Sequence, residues 1–366
     1  VKKIVIKVGS SSLCDKDGKI NKEKILMLTW QIAKLKREGY IVVLVSSGAI
    51  AAGMGALGLD SKPKTLPEKQ ALAAIGQARL MEIYEEIFQV FNMKCSQILL
   101  NHDDFDDRHR LMNLNHTINA LLNYGVVPII NENDALAVDE IKVGDNDTLA
   151  SLIVPLVEAQ LLILVSDIDG LYTGNPHTDP DAVLIHYVDK IDDTILSYAG
   201  DAVSGLGTGG MATKLKAAQM VNALGSHMCI VNGQKENSIL NALDNEGTWF
   251  NGASGTNMNA RRHWIAYRTK PRGTIIVDAG CRKAIVDNHV SLLPTGIKDV
   301  EGFLEGQVVD IKDEELNTVA KGVVNYASDE IRLIKGHQSS EIDDILHRHD
   351  YDEVVHANNM VVLEER

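Results

Sequence analysis

The stretch Gly205-Leu206-Gly207-Thr208-Gly209-Gly210-Met211-Ala212-Thr213-Lys214 sets two hydroxyls and a lysine at the mouth of a predicted helix that runs to Leu224 and stops at Gly225. Glycines let backbone crowd against a bulky anion. The free N–H groups of a first helical turn then point at that anion, and the helix dipole favours its charge. A lysine one turn in neutralises phosphate oxygens, so the stretch reads as a polyphosphate cradle. Gly205, Gly207 and Gly210 satisfy G-x-G-x-x-G, but the dinucleotide form of that motif closes the first strand of a βαβ unit, and this one follows a polar stretch deep in the chain. No G-x-x-x-x-G-K-[ST] occurs, which excludes a P-loop. The plain alternative is a glycine-rich connector with a capped helix behind it.

Other chemistry-bearing loops follow apolar runs. Lys7-Val8-Gly9-Ser10-Ser11-Ser12 ends the first run. A lysine on an apolar strand is costly unless it is paired or snorkels to water, and with the glycine and hydroxyls behind it Lys7 makes a second phosphate contact. Ser46-Ser47-Gly48-Ala49-Ile50-Ala51-Ala52-Gly53 puts hydroxyls and small residues where a helix begins. That suits close approach of a ligand or, more simply, N-capping by Ser46 or Ser47. Asn131-Glu132-Asn133-Asp134 and Val143-Gly144-Asp145-Asn146-Asp147 gather carboxylates and amides within seventeen residues. They suit an ammonium group or Mg²⁺, or else a pair of Asx turns with Asp145 or Asp147 capping the next helix. Ser166-Asp167 ends another apolar run, where a base or ribose fits as well as a capped turn does.

The elements that must position these loops alternate. Strand patterns at residues 1–8, 41–45, 95–100, 126–130 and 161–165 interleave with helical periodicity at 22–37, 67–91, 110–123 and 148–157. Strands this apolar have no solvent face. The fold expected is α/β, a largely parallel sheet sandwiched by helices, with ligands bound beyond the carboxyl ends of the strands. After residue 253 the pattern changes. Residues 254–273 form a polar linker that holds a short basic helix around Arg261-Arg262, and 274–366 carry short β-like runs at 274–277, 307–311, 319–324 and 361–363, a small β-rich domain.

The 366 residues suit two domains, and the net charge of −14 disfavours nucleic acid as the main partner. A site for an anionic substrate must supply its own positive charge. No apolar run reaches the roughly 20 residues of a membrane helix, and residues 1–8 enter a strand pattern with no secretory leader. Cys14, Cys95, Cys229 and Cys281 lie far apart without metal spacing, which reads as reduced, buried thiols in a cytoplasmic enzyme.

Five segments, Val5-Ile6-Lys7-Val8-Gly9-Ser10-Ser11, residues 46–53, Ile129-Ile130-Asn131-Glu132-Asn133-Asp134, Lys142-Val143-Gly144-Asp145-Asn146-Asp147 and residues 204–214, together resemble the amino-acid kinase family. Within it they are similar to the branch that phosphorylates free L-glutamate on its side-chain carboxylate, the first step of proline synthesis. The C-terminal part, through Ser291-Leu292-Leu293-Pro294-Thr295-Gly296-Ile297, resembles the PUA domain. The resemblance implies an amino-acid kinase domain over residues 1–253 and a PUA-like domain over 274–366. It implies ATP as donor with Mg²⁺ carried on the nucleotide, no protein ligand of the metal being assigned.

Position by position, Lys7 and Lys214 would contact the transferring phosphoryl group and Asp147 would hold the two lysines. Ser47, Asp134 and Asn146 would bind glutamate. Lys7, Gly9, Ser10, Ser166, Asp167 and the run from Thr208 through Gly209, Gly210, Met211, Ala212 and Thr213 to Lys214 would bind ATP. Ser166 stands where the family often has Thr and keeps the hydroxyl; Ala212 stands where Ser is frequent and leaves only a backbone N–H. The resemblance further implies feedback inhibition by proline and a homo-oligomer, dimer or tetramer. Glutamate's carboxylate, with a pKa of about 4.3, is already ionised at neutral pH, so no general base is needed, in keeping with the absence of histidine from these motifs. A related carboxylate or carbamate kinase shares the same phosphate machinery. PUA domains often bind RNA, but residues 272–366 hold 10 basic and 19 acidic side chains, the opposite of an RNA-binding face. A nicotinamide-dependent dehydrogenase fails on the position of the glycine pattern.

Overall fold

The computed structural model describes residues 2–136, 146–199, 210–252, 265 and 271–363, less positions 62, 102, 107, 177 and 349. The chain divides into two compact units, Val1–Asn257 and Met258–Arg366. The linker expected at 254–273 and its basic helix lie almost wholly outside the described residues.

In the first unit β1 (Lys3–Val8) leads through a single turn, α1 (Ser10–Leu13), into α2 (Lys22–Arg37). β2 (Ile41–Ser46) is followed by α3 (Ala49–Leu57) and α4 (Leu66–Val90), and β3 (Cys95–Leu100) by α5 (Asp103–Asp106) and α6 (Arg108–Asn123). Then come β4 (Val127–Glu132), α7 (Asn146–Val157) and β5 (Leu161–Ser166). A hairpin of β6 (Leu171–Tyr172) and β7 (Leu184–Ile185) precedes β8 (Tyr187–Val188), α8 (Asp193–Ser197), α9 (Met211–Asn222), β9 (His227–Asn232), α10 (Ser238–Leu243) and β10 (Thr248–Phe250). The expected alternation is present, and β9 adds a strand beyond those read from the sequence.

The sheet runs β3-β4-β2-β1-β5-β9-β10-β8. It is parallel from β3 to β9; β10 pairs antiparallel with β9, and β8 runs parallel to β10. β1 lies between β2 and β5, where the strand order reverses, so the loops after β1, β2, β4 and β5 meet at a switch point beyond the carboxyl ends of the strands.

Strand periodicity decides which side of the sheet each residue serves. Ile4, Ile6 and Val8 join Leu44, Ile163, Val165 and Val231 in a core with Ile25, Ile32, Tyr84, Phe88 and Ile239 from α2, α4 and α10. Alternation turns Val5 and Lys7 to the opposite face, across which α7 packs, with α9 beside it. From Leu149 to Val157 only Pro155 of α7 is not buried, as suits a helix apolar nearly all round. α4 starts cleanly because Thr65 caps Glu68 N–H while the Glu68 carboxylate accepts from Thr65 N–H, with Pro67 in the first turn. α3 and α4 cross backbone to backbone. A Cβ on Gly76 would lie 1.7 Å from the Ala49 carbonyl oxygen, and one on Gly53 2.1 Å from that of Leu72.

The second unit holds a sheet built from β11 (Thr274–Val277), β12 (Ile297–Glu301), β13 (Val308–Lys312), β14 (Thr318–Val323) and β15 (Met360–Val362), in the order β12-β11-β13-β14-β15. Its pairs are antiparallel except β11 with β13. Among the described residues it is accompanied, beyond the β-rich expectation, by α11 (Ala279–Asn288), α12 (Ser328–Ile334) and α13 (Ile342–Leu346). Ile275, Ile285, Val309, Ile311, Tyr326 and Ile331 centre its core. Among the described residues no helix is long and apolar enough to cross a membrane. All four cysteines are free thiols; Cys14 and Cys229 are buried, Cys95 and Cys281 only partly.

Candidate active site

Two lysines converge on one carboxylate at the carboxyl edge of the sheet. Lys7, near the end of β1, lies 2.6 Å from Asp147 Oδ1, and Lys214, in the second turn of α9, donates to Asp147 Oδ2 at 2.8 Å. Asp147 is 0% exposed, Lys7 9% and Lys214 5%. The pairing follows from the fold: β1 turns Lys7 toward the α7 face, α7 begins beside it, and α9 packs on α7. Burial alone pushes the Asp147 carboxyl up, but the ammonium groups of Lys7 and Lys214 outweigh it and hold the carboxyl below the usual aspartate range. The N-terminal dipole of α7 favours the same negative charge. Lys7 therefore does not snorkel to water, and Asp147 sits inside the first turn of α7, engaged with two cations, not acting as a helix cap.

A second polar cluster is built from side-chain amides. Asn146 Nδ2 donates to Ser47 Oγ at 2.7 Å and to Asn131 Oδ1 at 3.2 Å. Asn131 Nδ2 donates to Gln77 Oε1 at 3.0 Å, and Gln77 Nε2 to Gln97 Oε1 at 3.0 Å. Asn131 and Gln77 thus each accept through the amide oxygen and donate through the amide nitrogen, in a relay that runs from Asn146 to Gln97 across α7, β4, α4 and β3. The chain ends in a cleft of about 210 Å³ lined by Ala49, Ala73, Gln77, Gln97, Glu132 and Asp134, among others. That is below the roughly 300–1,000 Å³ typical of drug-sized ligands and in keeping with a small metabolite. Asn146 is the first residue of α7, so Asn146 and Asp147 aim neighbouring parts of one helix start at the two clusters.

Ser46 and Ser47 do not cap α3, contrary to the simpler sequence reading. Gly48 is the N-cap, with φ of 109°, a left-handed value that glycine adopts without strain, and no side chain caps the helix. Ser47 is freed for Asn146, and its N–H donates to the Val8 carbonyl at 3.1 Å.

On the other side of Lys7, Gly9 N–H donates to the Val165 carbonyl at 3.3 Å, and Gly233 N–H to the Ser166 carbonyl at 2.8 Å. These bonds bring the loops after β1, β5 and β9 together. A Cβ on Gly9 would come 3.6 Å from Lys7 Nζ, so a bare backbone keeps the space beside the amine open. Ser10 is exposed and Ser166 buried, its hydroxyl donating to the exposed Asp167 at 3.2 Å. The N-cap of α9 is Gly210, which has no side chain to cover the first N–H groups, while Thr213 Oγ1 donates back to the Gly210 carbonyl at 2.8 Å. Amides in that state form an anion site. Met211, Ala212 and Thr213 are half-buried along this first turn. Thr208 and Gly209 lie outside the described residues, as do Asp145 and residues 142–144.

The sequence reading passed over Gln77, Gln97 and the hydroxyl of Tyr84, which sit in ordinary helix and strand patterns with nothing local to mark them. A cleft of about 630 Å³, lined by Ser12, Lys24, Gln31, Val165, Lys235 and Ile239 among others, takes in none of the predicted site residues. Val8, Leu28, Val165 and Ile239 place it on the α2/α10 face of the sheet. Among the described residues no three His, Cys, Asp or Glu side chains converge as a metal cage.

Residues 2–232 match the Amino acid kinase family and residues 273–346 the PUA domain. Over 366 residues, 99% of this chain and 98% of each relative, the chain is 47% identical to a glutamate 5-kinase of Citrifermentans bemidjiense and 47% identical to one of Geobacter sp. strain M21. It is 46% identical, with the same coverage, to a glutamate 5-kinase of Caldanaerobacter subterraneus subsp. tengcongensis. The chain belongs to the amino acid kinase family, in its glutamate 5-kinase branch, with a PUA domain following the kinase unit.

Proposed function

We propose that the protein transfers the γ-phosphoryl group of ATP to the side-chain carboxylate of L-glutamate, releasing ADP and L-glutamyl 5-phosphate, the opening step of proline synthesis in the cytoplasm. The observation that carries this reading is the buried Asp147 holding the amines of Lys7 and Lys214 at 2.6 and 2.8 Å, beside an uncapped helix start. A glutamate carboxylate oxygen attacks the γ-phosphorus as the bond to the β-bridging oxygen breaks, and the electron pair leaves with ADP. No proton moves. The barrier is electrostatic, an anion approaching a polyanion, so positioning and positive charge dominate.

Lys7 and Lys214 screen that repulsion, and Asp147 fixes both amines without neutralising them completely, since one negative charge faces two positive ones. N–H groups at Gly210 and Met211, with Gly209 and Thr208 before them, receive the β/γ oxygens. Gly9 and Ser10 lie beneath the phosphates, and Ser166 and Asp167 beside the nucleoside. Mg²⁺ would be carried on the phosphates of the nucleotide and would supply further positive charge there. Ser47 and Asn146 hold the substrate beside the lysines, and Asp134 pairs with its α-ammonium. An N-acetylated substrate has no ammonium to meet that acid, and a site with dedicated polar partners rejects such an analogue strongly.

The reading extends to inhibition by proline and to a dimer or tetramer. ADP release measured across glutamate, N-acetylglutamate, aspartate and carbamate, with and without proline, tests substrate and inhibitor together, and ultracentrifugation tests the oligomer. Selective turnover of glutamate, suppressed by proline, is the expected result; preference for N-acetylglutamate or carbamate overturns the assignment.

A further inference from the structure

The start of α3 carries a buried hydroxyl pair that the proposed chemistry does not use. Tyr84 and Ser46 are both fully buried. Ser46 Oγ lies 2.8 Å from the Tyr84 hydroxyl and donates to the Ser47 carbonyl at 2.9 Å. A serine hydroxyl has one proton. With that proton on the Ser47 carbonyl, the Tyr84 hydroxyl must be the donor to Ser46, and the order Tyr84 → Ser46 → Ser47 carbonyl is fixed. Burial pushes the Tyr84 phenol up, so it keeps its proton at any working pH.

Ser47 is thereby clamped on every side. Its N–H is bound by Val8, its carbonyl by Ser46 and its hydroxyl by Asn146. Immediately after it the chain swings through the left-handed Gly48 into α3. Its carbonyl lies ahead of that helix, where a loop carbonyl would otherwise turn to water or to ligand.

Tyr84 is a rigid anchor for this clamp. Its ring meets Phe88 edge to face at 6.1 Å inside the α2/α4/α10 core, and the Gly53–Gly76 crossing two turns earlier locks α4 against α3. The phenol position is set by the core, not by the loop.

We infer that Tyr84 is a positioning residue which, through Ser46, fixes the Ser47 backbone and aims its hydroxyl at the amino-acid substrate. The inference rests on the reading of Ser47 as a substrate contact. Tyr84→Phe removes the donor and leaves the ring packing intact; Ser46→Ala removes the link.

Steady-state KM values for glutamate and for ATP, measured for Tyr84→Phe, Ser46→Ala, the double variant and Ser47→Ala, test it. The clamp predicts a glutamate KM raised about five- to tenfold by each single substitution, as expected when one member of a buried hydrogen-bonded pair is lost. The ATP KM should stay within about twofold, and the double variant should be no worse than the more damaged single. A wild-type glutamate KM for Tyr84→Phe, with Ser47→Ala impaired, overturns the relay and leaves the substrate site standing. Equal rises in both KM values, or additive effects in the double variant, also overturn it, because they mark a general structural role. An unchanged glutamate KM for Ser47→Ala itself overturns the assignment of Ser47 and carries the relay with it.

Discussion

The two polar clusters at the carboxyl edge of the sheet are built from opposite materials. Around Asp147 three charges are taken almost completely out of water, and around Asn131 an amide chain runs through a half-open cleft. A buried ion triad is expensive, since desolvation rivals the attraction it gains, so it is not explained as a stabilising device. It makes sense where positive charge must be held ready for a polyanion. In the proposed reaction the amides would serve the other need, choice of substrate, because each has a definite donor and acceptor side and leaves an unpaired polar atom when a ligand does not match. Asn146 and Asp147, adjacent at the start of α7, join the two. In the proposed reaction, charge drives the transfer and the neutral chain selects its acceptor.

That division can be broken experimentally. The largest effect belongs to Asp147→Ala, which removes the carboxylate shared by two buried ammonium groups. It should destabilise the kinase unit by about 3–5 kcal/mol, read as a lower urea midpoint, and abolish measurable turnover. Lys214→Met should lower kcat by about 10²–10³-fold, the scale of losing a group that stabilises transition-state charge, with the glutamate KM within about twofold; near-normal turnover removes Lys214 from the catalytic set. Asn131→Ala and Asp134→Ala should act in the opposite sense, raising the glutamate KM about tenfold through an unpaired partner while the ATP KM holds. Equal changes in both constants would merge the two clusters into one.

The smallest effect is in acid. Because the folded carboxyl of Asp147 lies below its ordinary value, the unfolded chain binds that proton more readily. Its contribution to stability is complete above the unfolded aspartate pKa of about 3.9 and disappears as pH falls through the lower folded value. The stability gap between wild type and Asp147→Asn should therefore shrink below that pH, and a gap independent of pH contradicts the pairing.

Much of this was legible in the residues, for identifiable reasons. The parallel sheet follows from strands apolar on both faces. The glycine run, Lys7 and the two Asn/Asp clusters announced themselves by composition. What could not be read was pairing at long range. Whether Lys7 reaches water or a carboxylate depends on a helix that begins 139 positions later at Asn146. A helix predicted from residue 148 instead starts at Asn146, because Gly144-Asp145-Asn146-Asp147 looks locally like a turn. The expected serine cap at α3 gave way to Gly48, whose left-handed backbone the Ser-Ser-Gly order permits but does not demand. Gln77 and Tyr84 carry no local mark at all. They matter only because the Gly53–Gly76 crossing brings α4 under the loop after β2.

The most direct test of the charge assignment is a structure of the protein bound to a non-hydrolysable ATP analogue, Mg²⁺ and glutamate. Both amines, Lys7 Nζ and Lys214 Nζ, should lie about 2.7–2.9 Å from oxygens of the terminal phosphate, with the glutamate carboxylate aligned opposite the leaving oxygen. Amines that face separate clefts, or a triphosphate bound away from Asp147, would contradict the account.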